Sequence, residues 1–145
     1  QGAGHIVNTA SLAGLVHGPG MSSYNAAKAG VVALSETLYF ELGPFGIGVS
    51  VICPAFFKTN LHTSFQGKDT DFEETGSRLI SQSSVTAEEI AARVVAGVDA
   101  GDLIIITDKT GRTAYWTKRY ARPLYDRALV KGAQRLAYRA LREKK

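Results

Sequence analysis

Three short runs rich in Ile and Val constrain the fold of this chain most: residues 5–9 (HIVNT), 48–53 (GVSVIC) and 103–107 (LIIIT). None alternates cleanly between apolar and polar, the pattern of parallel strands covered on both faces. Helical patterns separate them. Residues 22–42 place Ala27, Val31, Leu34, Leu38 and Leu42 at three- and four-residue spacing, with Ser22 or Ser23 as N-cap and Gly43-Pro44 as the stop. A second helix starts at Thr86, where Thr86 and Glu89 form a capping box and Val85 and Ile90 a hydrophobic staple, and runs to Ala100-Gly101. Strand, helix, strand, helix, strand is the rhythm of a parallel sheet in three α/β/α layers.

Composition narrows the class. With 145 residues, 45% of them hydrophobic, the chain can bury one ordinary core. Its apolar runs fall far short of the ~18 residues a membrane span needs, and no basic-then-apolar leader opens it, so export is not expected. Cys53 is the single cysteine, which rules out an internal disulfide and points to a reducing, cytoplasmic setting. His5, His17 and His62 lie far apart with no cysteine at ligand spacing, so no metal site is expected. The first residue is Gln, and the chain reads as part of something longer.

The net charge of +4 conceals an asymmetry. Residues 1–108 carry five Lys+Arg against eleven Asp+Glu, and residues 109–145 carry twelve against two. The basic end is either a solvated face or a contact for an acidic partner. Two units follow: residues 1–112 as the α/β part, with the long polar stretch 60–84 as a lid, and residues 113–145 as a basic, aromatic helical extension. Pro123 opens a last helix with Leu129, Ala133, Leu136 and Ala140 on one side.

Candidate chemistry gathers at one edge of this sheet. Tyr24 and Lys28 are four apart near a helix start, hence on one face; alone, such a pair is equally a surface pair. Ser11 lies just past the first strand, at the C-terminal edge where parallel sheets hold their sites. The link from Ser11 to Tyr24 holds Gly14, Gly18, Pro19 and Gly20, which can fold it back on itself. The second strand ends at the same edge in Cys53-Pro54-Ala55-Phe56-Phe57-Lys58-Thr59.

In this combination the chain resembles the classical short-chain dehydrogenase/reductase family. The matching residues are Asn8-Thr9-Ala10-Ser11, Tyr24-Asn25-Ala26-Ala27-Lys28 and Pro54 to Thr59, within residues 4–107. The resemblance implies the C-terminal part of a Rossmann-like doubly wound sheet and NAD(P)-dependent hydride transfer at an alcohol or carbonyl carbon. It implies Tyr24 as the general acid/base, Lys28 as the group that holds the nicotinamide ribose and eases loss of the phenol proton, and Ser11 as the residue that orients the substrate oxygen. Pro54, Phe57 and Thr59 would line the nicotinamide of NAD or NADP. In magnitude this is reasonable: lowering a phenol from about pH 10 to neutrality takes ~4 kcal/mol, and one ammonium about 4 Å away at a dielectric of about 20 supplies roughly that.

The chain also departs from the family. It has no glycine-rich turn between a first strand and a helix, no counterpart of the family's catalytic Asn, and Pro54-Ala55 where the family has Pro-Gly. Asn8 is expected to brace the strand end. On its own the chain is expected to bind cofactor weakly and turn over little. Phe56, Phe57, Leu61, Phe65 and Phe72 fit an apolar or bulky substrate, or equally a lid packed on the sheet. Residues 115–145 suit an interface helix of a homo-oligomer, a membrane-surface anchor or packing over the site, with no nucleic acid expected. The rival class is a non-catalytic binding or dimerisation module acting through that basic segment.

Overall fold

The computed structural model describes the backbone of residues 2–55, 57 and 85–143, and the side chains of these except 136 and 139–143. Strands β1 (Gly4–Thr9), β2 (Ile47–Cys53) and β3 (Ile104–Ile106) form a sheet in the order β1-β2-β3, with both pairings parallel. The helices are α1 (Ala13–Val16), α2 (Ser22–Leu42), α3 (Ala87–Asp99), α4 (Lys109–Tyr120) and α5 (Arg122–Glu143). The stretch 60–84 lies outside the described residues.

Register decides which side chains meet. Val51 pairs with Ile104 and Cys53 with Ile106, so these four share one face. There they join Ala10, Leu15 and Val32, flanked by Leu12, Val16, Val31 and Tyr115, and build the main core under α1, α2 and α4. Ile105 points to the other face, where α3 crosses so closely that a Cβ on Gly97 would come within 2.9 Å of its side chain. Helices therefore cover both faces, as a doubly wound sheet requires. The α3 N-terminus has the expected capping box: the Thr86 hydroxyl accepts from the Glu89 N–H at 3.3 Å, and the Glu89 carboxylate accepts from the Thr86 N–H at 3.2 Å.

Four local expectations are corrected. First, β1 is largely exposed rather than covered on both faces, with Ile6 and Val7 at 36% and 41%, because it is the edge strand of the described sheet. Second, α2 turns a different stripe inward: Asn25, Val32 and Ser35 are buried, Val31, Leu38 and Leu42 flank them, and Ala27 and Leu34 face out, Leu34 at 55%. Ser35 can face inward here because its bonds are met locally. The Ser35 hydroxyl donates to the Val31 carbonyl at 2.7 Å and accepts from Asn8 Nδ2 at 3.0 Å, so Asn8 does brace the strand end. Third, Met21, with no side-chain cap, precedes α2 in place of a serine cap; the stop is as expected, α2 ending at Leu42 with Gly43 as its C-cap before a 3₁₀ turn at Gly43–Phe45 and the left-handed Gly46 (φ 73°).

Fourth, the helical extension expected over residues 113–145 begins earlier and in a separate piece: ahead of the last helix, residues 109–120 form α4. Asp108 caps it, its carboxylate accepting from the Gly111 N–H at 2.6 Å. In α5, Tyr125 is buried and Leu129 and Ala133 are half-buried on one side; the side chains of Leu136 and Ala140 lie outside the described residues. Among the described residues no helix is long and apolar enough to cross a membrane.

Burial pushes the Cys53 thiol up to about 12, helped by the Glu36 charge and opposed by a hydrogen bond from the Ser11 backbone. The folded state thus favours the neutral thiol. Its contribution to stability is complete below the unfolded thiol's range near 9 and is lost as pH rises toward about 12. Denaturant titrations between pH 8 and 11 are expected to show stability falling across that window, and falling less in Cys53→Ala. Gly14→Ala, which sets a Cβ 2.6 Å from the Lys28 carbonyl oxygen, is expected to destabilise by about 1–3 kcal/mol in the same assay.

Candidate active site

The backbone ladder of the sheet continues beyond the strands and draws their C-terminal ends together. The Ala10 N–H donates to the Ile52 carbonyl and the Leu12 N–H to the Pro54 carbonyl, each at 2.9 Å. Ser11 is therefore held beside the turn that leaves β2. Its hydroxyl accepts from the Ala13 N–H at 3.2 Å and satisfies one of the open donors of α1.

The link to Tyr24, expected as turns, contains α1 and then reverses through His17 (φ 52°) and Gly20 (φ 81°). α1 lies directly on α2. At Gly14 a Cβ would come 2.6 Å from the Lys28 carbonyl oxygen and 3.1 Å from the Ala29 nitrogen, so only glycine allows this approach. Asn25 holds the far side of the link, its Nδ2 donating to the Gly18 carbonyl at 2.8 Å, while its Oδ1 is buried without a partner among the described residues.

Lys28 reaches back across α2 to the strand, Nζ donating to the Thr9 carbonyl at 3.4 Å. That contact fixes the start of α2 at the C-terminal end of β1. Tyr24 lies one turn away, its ring centroid 5.8 Å from Lys28 Nζ and its side chain 41% exposed. Ser11, Tyr24 and Lys28 thus gather at one sheet edge, with Pro54 beside Leu12 and Phe57 half-buried just beyond. Thr59 lies outside the described residues, as do Phe56, Leu61, Phe65 and Phe72.

Two residues at this edge escape the sequence reading. Lys118 of α4 donates to the Leu15 carbonyl and lies 2.9 Å from His17 Nδ1. The Tyr125 hydroxyl of α5 donates to the Val16 carbonyl. Burial lowers the Lys118 pKa from its usual value and raises that of Tyr125. More than a hundred residues separate each donor from its acceptor, and no local pattern announces such a pairing. Of the described histidines, the His5 ring bonds the Ser50 hydroxyl at 2.9 Å, and His17 Nε2 bonds the Gly14 carbonyl at 3.1 Å.

Comparison with known proteins agrees with this geometry. Residues 1–70 match the family model described as short chain dehydrogenase. A 3-oxoacyl-[acyl-carrier-protein] reductase from Synechocystis is 39% identical over 61 residues, covering 42% of this chain and 25% of the relative. A 3-ketodihydrosphingosine reductase from Dictyostelium discoideum is 37% identical over 105 residues, covering 72% of this chain and 31% of the relative. The structure of a short chain dehydrogenase/reductase from Burkholderia phymatum in complex with NAD superposes with a TM-score of 0.73 at 28% identity, over 83% of this chain and 48% of that one. The chain therefore spans well under half of these curated relatives and about half of that structure. Together, the strand-end serine, the Tyr24–Lys28 helix and these matches place the chain in the short-chain dehydrogenase/reductase family.

Proposed function

We propose that the chain carries the proton-transfer site of an NAD(P)-dependent oxidoreductase acting at an alcohol or carbonyl carbon, with Ser11, Tyr24 and Lys28 as catalytic residues. The observation that carries this reading is their convergence: Ser11 directly follows β1, Lys28 bonds the last carbonyl of β1, and Gly14 seats α1 on the Lys28 backbone. The exposed Tyr24 ring leaves its hydroxyl open to a substrate oxygen, where it gives or takes a proton. Ser11 accepts from the Ala13 N–H and keeps its own proton to donate, which orients that oxygen.

Nicotinamide dinucleotide fits the donor set. Lys28 and Tyr24 offer an ammonium and a hydroxyl at the outer edge of the sheet, a pair suited to a ribose diol, and Pro54 and Phe57 offer an apolar wall. When bound, the nicotinamide supplies or accepts the hydride, which no side chain here can do. The names of both curated relatives specify reduction of a keto group, which supports a ketone substrate. Phe57 beside this wall favours an apolar one.

In the full-length protein, Tyr24→Phe is expected to lower kcat by roughly 10²–10⁴ while the dissociation constant for the nicotinamide nucleotide stays within about threefold. Steady-state kinetics and a cofactor titration read the two separately, and retained turnover removes the assigned role.

One observation favours a second reading, contact of the C-terminal segment with an anionic surface or a second copy. Leu124, Arg127, Lys131, Arg135 and Tyr138 follow one exposed stripe of α5, and the ion pair of the described part of that helix, Arg122–Asp126 at 2.7 Å, involves none of them. At low salt the protein is expected to co-sediment with phosphatidylserine vesicles but not with phosphatidylcholine, and Arg127→Glu with Lys131→Glu to abolish it. Absence of binding by the parent protein excludes the membrane form of this reading.

A further inference from the structure

We propose that α4 and α5 serve as a clamp that holds Ser11 in working position, with Lys118 and Tyr125 as positioning residues; this rests on the assignment of Ser11, Tyr24 and Lys28 above. The need for a clamp follows from the size of α1. Four residues are too few for a self-supporting helix, and its last carbonyls have no partner within it. At its N-terminal end the helix is tied down by the Ser11 hydroxyl and by the Leu12–Pro54 bond. At its C-terminal end the carbonyls of Gly14, Leu15 and Val16 are met by side chains of His17, Lys118 and Tyr125. Two of these three donors come from the C-terminal helices, 103 and 109 residues beyond their acceptors.

The packing gives the clamp leverage over the site. α1 is wedged between α2 and the C-terminal helices, and Gly14 leaves no slack against the Lys28 carbonyl. A shift of α1 therefore moves Ser11 relative to Tyr24 and Lys28, or pushes on α2 itself. Tyr125 is only 8% exposed, so its hydroxyl has Val16 rather than water as its partner. Gly111 secures the same helices from the other end: a Cβ there would come 3.0 Å from Leu12 and 3.2 Å from Ile106. The two C-terminal helices thus touch α1 at both of its ends, Leu12 at the start next to Ser11 and Leu15 and Val16 at the close. Displacements near 1 Å in such a constellation lower rates by up to about a hundredfold.

The test is a double-mutant cycle in the full-length enzyme, with Tyr125→Phe and Lys118→Met each made alone and in a Ser11→Ala background. In the parent background each is expected to lower kcat roughly tenfold, to leave the nicotinamide nucleotide dissociation constant within about twofold, and to speed amide exchange at residues 13–17. Lys118→Arg, which keeps a cationic donor, is expected to restore most of the rate. With Ser11→Ala in place, neither change should cost further turnover. Three results overturn the clamp: unchanged kcat in both single variants, full additivity with Ser11→Ala, or equal loss of cofactor binding and kcat. Full turnover in Ser11→Ala alone instead removes the catalytic assignment, and the clamp with it. Should Lys118→Met fail to fold, Tyr125→Phe, which deletes one oxygen, carries the cycle.

Discussion

The contact of Gly14 with the Lys28 carbonyl is the constraint on which the rest of this site depends. It brings a four-residue helix to within a hydrogen atom's width of the α2 backbone. The residues proposed to act in catalysis lie at its margins: Ser11 before it, Lys28 beneath it and Tyr24 one turn along the supporting helix. A side chain at position 14 would separate the two helices and, with them, hydroxyl from phenol and ammonium. The two helices of the site are thus seated on each other through one close approach, while the apolar core beneath joins them to the sheet.

Near this contact two serines are buried with their hydroxyls satisfied. Ser35 and Ser50 are fully buried, yet each hydroxyl is used at least twice, Ser35 by Asn8 and Val31, Ser50 by His5 and the Asp102 carbonyl. At Ser35 a small, bonded side chain lets α2 approach the sheet more closely than a leucine would. The same economy explains Cys53, a buried thiol at the end of β2 that packs as a small apolar residue and stays protonated.

Much of the fold is legible in local sequence because its determinants are local. The Ile and Val runs specify three strands, and parallel pairing follows from the helices between them. The Thr86–Glu89 capping box is a four-residue device and appears where its residues predict. The inward stripe of α2 is not legible in this way, because Leu34 and Ser35 are neighbours and apolarity favours the wrong one. What makes Ser35 the buried residue is the presence of Asn8 across the interface, which no spacing rule encodes. The open face of β1 likewise reflects its place in the sheet, since an edge strand and a central one can carry the same run of residues.

The sequence by itself determined the strands, the two central helices, and the residue types that make Ser11, Tyr24 and Lys28 a chemical set, because backbone periodicity and motif spacing act over a few residues. The tertiary structure alone decided how that set is held. α1, the wedge at Gly14 and the donors Lys118 and Tyr125 depend on contacts between segments as much as 109 residues apart. Such contacts exist only once the sheet has fixed where each segment ends, which is why the sequence leaves the basic, aromatic tail open between a solvated face, an interface and packing over the site, and only the fold brings Lys118 and Tyr125 onto α1.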